Sequence, residues 1–282
     1  MGNKANTTIN NWTERFIATV IRCKFINCFY FCAMKSKLLI LLLLLVSSFG
    51  WAQNTRFWDG IEDFDGPTDE NPVLASQLDF YFDKLVAPLP DSITLEIDRL
   101  VERTSFNSDL RDFILWHLLE KYRHPEYMSQ DLVFVYLYDR YFSQLEIKDL
   151  NNTNLSLIQE KAERLRRLAL LNTSPNFMLN DTLDLQSVES EFTVLFFYDH
   201  DCEVCQQERQ DLDSIVEQHP EITILAIDMN TDDGHVDALY DLYDIETTPL
   251  VYVLDDEKRI IAKKIRAKQI PLVLPASLEG QP

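Results

Sequence analysis

Two cysteines, Cys202 and Cys205, stand two residues apart in the run FFYDHDCEVCQQE (196–208), and no other cysteine follows residue 32. Such a pair offers three chemistries. A staple between residues three apart closes a tiny loop and removes little entropy from the unfolded chain. A zinc site needs about four ligands; His200 supplies a third, but no further cysteine exists downstream, so no metal is expected. Redox exchange needs only the two sulfurs: one thiolate attacks a disulfide, and the second thiol resolves the mixed disulfide. The redox couple is therefore the favoured reading, and it calls for no cofactor.

That chemistry depends on the elements around it. FTVLFFY (192–198) is an almost unbroken apolar run, as in a buried central strand. CQQERQDLDSIVEQH is helical, so Cys202 falls where strand gives way to helix. Unpaired amides and the positive end of the helix dipole favour a thiolate there. Cys205 follows one turn later. Cys202 is expected to be the more exposed sulfur and to titrate lower. Asp199, Asp201 and Glu203 flank the pair and oppose ionisation; His200 offsets them when protonated. This acidic collar argues for a reductant or isomerase rather than a strong oxidant.

Further on, EITILAIDM (221–229) reads as a second buried strand and HVDALYDLYDI (235–245) as a short helix. PLVYVL and KRIIAKKI form a hairpin about the turn DDEK. The order is β-α-β-α-β-β. Thr248-Pro249 stands immediately before a strand, where a cis proline would bring backbone groups to the sulfur pair to hold an extended substrate chain.

Residues 73–171 carry helical periodicity in five segments joined by polar turns. The apolar stripes are Leu74, Leu78, Tyr81, Phe82 and Leu85; Ile93, Ile97, Leu100 and Val101; Leu110, Phe113, Ile114, His117 and Leu118; a segment capped by Ser129; and Leu155, Ile158, Ala162, Leu165, Leu168 and Ala169. Asp91 or Ser92 is the expected cap of the second helix. His117 reads as a core or boundary histidine, and His124, before Pro125, as a helix-end residue.

The chain of 282 residues is 46% hydrophobic and carries a formal charge of −20, which disfavours nucleic acid and anionic membrane surfaces as partners. MKSKLLILLLLLVSSFGWAQ (34–53) has the charged start, short apolar run and small residues of a signal peptide cleaved before Gln53. Residues 1–33 are expected to be an extension from a start assigned too early. Cys23, Cys28 and Cys32 would then be absent from the mature chain, leaving one couple in an oxidising compartment. No stable membrane insertion is expected after cleavage.

These residues resemble the thioredoxin fold, in its exported TlpA/ResA-like branch. SPNFMLND resembles the branch's leading segment; TVLFFYDHDCEVCQQE resembles its strand, C-x-x-C and following glutamate; TTPLVYVLDDEKRII resembles its cis-proline, strand and hairpin. The resemblance implies that Cys202 is the nucleophile and Cys205 the resolving thiol, that Thr248 and Pro249 contact substrate backbone, and that Glu208 assists proton traffic at Cys205. Tyr198 replaces the family's Trp, Phe196 stands where cytosolic thioredoxins keep a buried aspartate, and Gln210 stands where a kink proline is usual. Pro271 and Pro275 interrupt the expected last helix. Residues 53–171 resemble the uncharacterised helical domain that precedes thioredoxin domains in Bacteroidetes exported proteins. The expected architecture is thus an all-α domain (53–171) before an α/β thioredoxin-like domain (172–282). The expected function is that of a periplasmic protein thiol–disulfide oxidoreductase acting on cysteine-containing exported proteins or with a membrane reductant domain. The competing expectation is a non-catalytic scaffold that uses both domains to dock a partner; the missing buried acid and Trp lean that way.

Overall fold

The computed structural model describes residues 57–61, 71–180, 182–231 and 234–274; the expected extension, signal peptide and cleavage site lie outside them. Two compact units divide at Gly60. In the first, Phe57 and Trp58 meet edge to face at 4.8 Å, and Gly60 turns the chain with φ 88. All that follows concerns the second, from Ile61 onward.

Five helical segments come first: α1 (Pro72–Phe80), α2 (Pro90–Arg103), α3 (Ser108–Arg123), α4 (Asp131–Leu137) and α5 (Asn152–Arg167). The expected stripes face inward: Leu78, Ile93, Ile97, Leu110, Ile114, Leu118 and Ala162 are all fully buried. Three local expectations change. α1 and α4 each end in a π-helical turn, Tyr81–Leu85 and Tyr138–Phe142. The wider i→i+5 bond, here from Val86 N–H to the Tyr81 carbonyl, inserts an extra residue in the turn. Val86 is therefore buried, and Leu85 swings out to 37% exposure. α2 starts from Leu89 with Pro90 in its first turn, so neither Asp91 nor Ser92 caps it: proline's preset φ does that work. α4 starts after Gln130, without a side-chain cap, rather than at Ser129.

The rest builds a four-stranded sheet in the order β2-β1-β3-β4. Its strands are β1 (Phe192–Tyr198), β2 (Ile222–Asp228), β3 (Leu250–Leu254) and β4 (Ile260–Lys263). β2 runs parallel to β1; β3 and β4 are antiparallel neighbours in turn. α6 (Glu203–Gln218) connects β1 to β2, and α7 (Gly234–Leu242) precedes β3. Alternation along β1 sends Val194 and Phe196 to a core with Leu212, Val251 and Ile270, whereas Leu195 and Phe197 join Leu239, Tyr243 and Tyr252 on the opposite face. This is the expected α/β thioredoxin-like sheet with its helices, preceded by helical segments. After β4 the described residues form a 3-10 turn (Ala267–Gln269) and the one-turn α8 (Ile270–Val273), with Pro271 in its first turn.

The helical segments are tied into the sheet by charge. Lys263 of β4 and Asp131 of α4 form an ion pair with both side chains almost wholly buried, and Lys263 also donates to the Leu168 carbonyl. Burial pushes the Asp131 carboxyl up and the Lys263 ammonium down, each countered by the other's charge and hydrogen bond.

Candidate active site

β1 ends at Tyr198 and α6 begins at Glu203; Cys202 is the N-cap residue between them, in extended conformation. Its sulfur accepts a hydrogen bond from the Cys205 N–H at 3.2 Å. An amide at the N-terminus of a sixteen-residue helix thus points at Sγ. The intervening loop is closed by Cys202 N–H donating to the Asp199 carbonyl at 3.1 Å.

The two sulfurs differ in access. Cys202 is half-buried, whereas Cys205 is 1% exposed within the core formed by Phe196, Leu212 and Val251. Burial pushes the Cys205 thiol up, and the hydrogen bond and charge of Cys202 push the same way; hydrogen bonds from the Asp199 backbone and the Thr248 side chain pull against them. Phe196, at the place of the buried aspartate, is fully buried and stacks on Tyr198 with centroids 5.3 Å apart.

Thr248 and Pro249 reach this site because of strand register. Phe197 of β1 pairs with Leu250 of β3, which sets the residues before Leu250 beside the loop after Tyr198. The Thr248–Pro249 peptide is cis.

The acidic collar is less uniform than the sequence suggests. Asp201 and Glu203 are exposed, but Asp199 is half-buried and folded into the loop: its Oδ1 accepts from Asp201 N–H at 2.8 Å and from Asn230 Nδ2 at 3.2 Å. His200 Nδ1 lies 2.8 Å from Asp228 Oδ2, and its Nε2 lies 3.6 Å from Asp201 Oδ2. The Asp228 hydrogen bond, then its charge, raises the His200 pKa. Burial works against ionisation of Asp228, but the Asn230 N–H and the His200 ring outweigh it and hold that carboxyl below its usual range. Asp228 and Asn230 were not singled out from sequence. The usable signal was topological: parallel pairing of Tyr198 with Asp228 puts both at the carboxyl ends of neighbouring strands, where α/β sheets build their sites.

Glu208 is brought to the buried side of α6, one turn beyond Cys205. Its Oε1 accepts from Ala267 N–H, and its Oε2 lies 3.7 Å from Arg266 Nη1. Among the described residues no hydrogen bond joins it to either cysteine; it fastens the segment leading into α8. No group of three or more His, Cys, Asp or Glu side chains is placed to hold a metal among the described residues. No described helix is long and apolar enough to cross a membrane. His117 sits at the helical surface, its Nε2 3.0 Å from Asp79, and His124 Nδ1 lies 2.8 Å from Glu246 Oε2.

No protein-family model and no curated protein matches the sequence. Solved structures do match. A thioredoxin-like protein from Bacteroides caccae superposes with TM-score 0.62 at 14% identity, covering 78% of this chain and 90% of that one. That span is more than residues 172–282 could supply, so the likeness extends into the helical segments. A domain of a possible thiol-disulfide isomerase from Cytophaga hutchinsonii matches at TM-score 0.31 and 27% identity, over 37% of this chain and 89% of that one. The thioredoxin domain of a thiol-disulfide oxidoreductase from Bacteroides vulgatus matches at TM-score 0.32 and 16% identity, over 37% and 97%. The first of these comparisons establishes a thioredoxin-like fold.

Proposed function

We propose that this chain is a periplasmic protein thiol–disulfide oxidoreductase working as a reductant or isomerase on exported proteins. The observation that carries the reading is the asymmetric sulfur pair: an accessible Cys202 at a helix N-terminus receiving an amide hydrogen bond, and a buried Cys205 one turn behind. The Cys202 thiolate attacks one sulfur of a substrate disulfide. A Cys202–substrate S–S bond forms, the substrate bond breaks, and the departing sulfur leaves with the electron pair and takes a proton from solvent. Cys205 then loses its proton and attacks Cys202 Sγ. The enzyme disulfide closes, the second substrate thiol is released, and two electrons have passed to the substrate. A dithiol donor, such as a membrane reductant domain, must restore the pair. Thr248 and Pro249 border the site and hold the substrate chain.

Insulin reduction with dithiothreitol tests this: the wild-type chain should accelerate it, and Cys202→Ser should abolish the acceleration. Equal rates for the two would leave docking without turnover as the better reading. Export belongs to the same proposal. Mass spectrometry of the exported product should find Gln53 at the N-terminus, whereas retention of residues 1–33 would count against it.

A further inference from the structure

The loop that leads into Pro249 is gripped by the helical segments. Lys161 of α5 sets its Nζ 3.0 Å from Asp244 Oδ1 and 2.5 Å from Glu246 Oε1, and His124 takes the other oxygen of Glu246 at 2.8 Å. Lys264, after β4, holds Asp244 Oδ2 at 2.7 Å. Burial works against ionisation of Asp244, but Lys264 and Lys161 outweigh it and keep the carboxyl below its usual range.

Beside this loop opens a cleft of about 230 Å³, with His124 and Pro125 on the helical side and Thr247, Pro249, Lys264 and Arg266 on the sheet side. Small-molecule sites begin at roughly 300 Å³, so this one suits one or two side chains of a longer ligand. Pro249 lines it and directly follows Thr248, and the pairing of Phe197 with Leu250 sets these residues beside the loop after Tyr198 that carries Cys202, so the cleft lies next to the sulfur pair. Its charge is one-sided in effect. Both carboxylates on its lining, Asp244 and Glu246, already serve Lys161, Lys264 and His124. Arg266 is 61% exposed, and among the described residues its only carboxylate partner is Glu208 at 3.7 Å. A guanidinium with spare donors is suited to a carboxylate.

We infer that this cleft is the subsite for the substrate residue beside the reacting cysteine, that Arg266 favours an acidic side chain there, and that the helical segments supply one wall of the site. The inference rests on the oxidoreductase reading and adds a substrate preference to it. It also assigns the helical segments a role: His124 and Pro125 bound the site directly, and Lys161 positions the loop carrying Thr247 and Pro249.

The test uses the reduced full mature chain and peptides carried as 2-thiopyridyl mixed disulfides, with Glu, Gln or Lys on either side of the cysteine. Attack by Cys202 on the peptide sulfur forms the peptide–enzyme disulfide, breaks the peptide–pyridyl bond and releases thiopyridone, which is followed optically. At low salt the wild type should react about threefold faster with one Glu peptide than with its Gln counterpart, as a partly solvated ion pair allows, and slowest with Lys. High salt should shrink the ratio. Arg266→Gln should bring the Glu-to-Gln ratio near one, and Arg266→Lys, which keeps the charge, should retain most of it. Equal wild-type rates for all peptides, with 2,2′-dipyridyl disulfide still reacting at Cys202, would overturn the subsite and leave the oxidoreductase reading standing. A Cys202 inert to dipyridyl disulfide and peptides alike would bring down both.

Discussion

At the scale of single residues, the placement of the cysteine pair was readable because it is set locally: Cys202 stands where strand gives way to helix, with Cys205 one turn on. The thiol roles follow from depth. Cys205→Ser should trap substrate proteins as mixed disulfides with Cys202, because nothing remains to release them, while Cys202→Ser should trap none; non-reducing gels of extracts from cells producing each variant check this. The charges around Cys202 were only half readable. Asp201 and Glu203 are exposed as expected, but Asp199 is committed to Asn230, and His200 to Asp228, partners that strand pairing brings from 28 and more positions away. Neutralising Asp201→Asn with Glu203→Gln should stabilise the thiolate that only the reduced form carries, making the couple more oxidising in a glutathione titration at pH 7. Asp228→Asn removes that carboxylate together with the hydrogen bond and charge that raise the His200 pKa. The sign for stability also follows. His200 is raised in the fold, so its contribution is complete below the unfolded histidine pKa and fades as pH rises through the folded one. Asp228 is depressed, so its contribution holds above the unfolded carboxylate pKa and is lost as pH falls through the folded value. Asp228→Asn should therefore lower stability mainly between those limits. A potential unmoved at low salt in the Asp201→Asn, Glu203→Gln variant would assign the collar to solubility or partner recognition instead.

At the scale of elements, periodicity located the five helical segments and four strands because each buries one face, and burial writes itself into residue order. Periodicity failed where the backbone departed from 3.6 residues per turn. The π turn after α1 exchanged Leu85 for Val86, and no residue in YFDKL announces it. The caps failed because Pro90, not a side-chain acceptor, starts α2. Lys263 was beyond reach for another reason: KRIIAKKI reads as one arm of a hairpin, and nothing in it shows that the Lys263 side chain, 1% exposed, meets Asp131 of α4. Removing one partner of a buried pair strands the other charge. Asp131→Ala should thus cost about 3–5 kcal/mol in urea unfolding. Asp131→Leu with Lys263→Met, which removes both charges, should recover most of that. If the double variant is no better than the single one, the pair's role lies in the hydrogen bond from Lys263 to the Leu168 carbonyl.

At the scale of the whole molecule, the expected arrangement is an all-α domain (53–171) followed by a thioredoxin-like one (172–282). The contacts bear on how separable these parts are. Leu171 N–H bonds the Ile260 carbonyl at 2.8 Å, Ile260 N–H bonds the Asn172 carbonyl at 2.9 Å, and the ion pairs of Lys161 and Lys263 cross from helices to sheet. A residue stripe cannot show this, because each of these groups looks solvent-facing within its own segment. The physical consequence is cooperativity: when desolvated charges on one part are neutralised only by the other, opening either part strands charge on its neighbour. Unfolding should then be a single transition. Two probes separate the parts. Trp116, whose Nε1 donates to the Lys148 carbonyl at 2.9 Å, reports the helical segments in a chain that begins at Gln53 and carries Trp58→Phe. Alkylation of the buried Cys205 in a Cys202→Ser background reports the sheet. In urea the two should give one midpoint and one slope. Asp244→Asn with Glu246→Gln, which removes both carboxylates from Lys161, should pull them apart, with the helical probe moving at lower urea. Two separate midpoints in the chain that retains both carboxylates would mean that the helical segments rest on the sheet without depending on it, and Lys161 would then be an anchor of position rather than of stability.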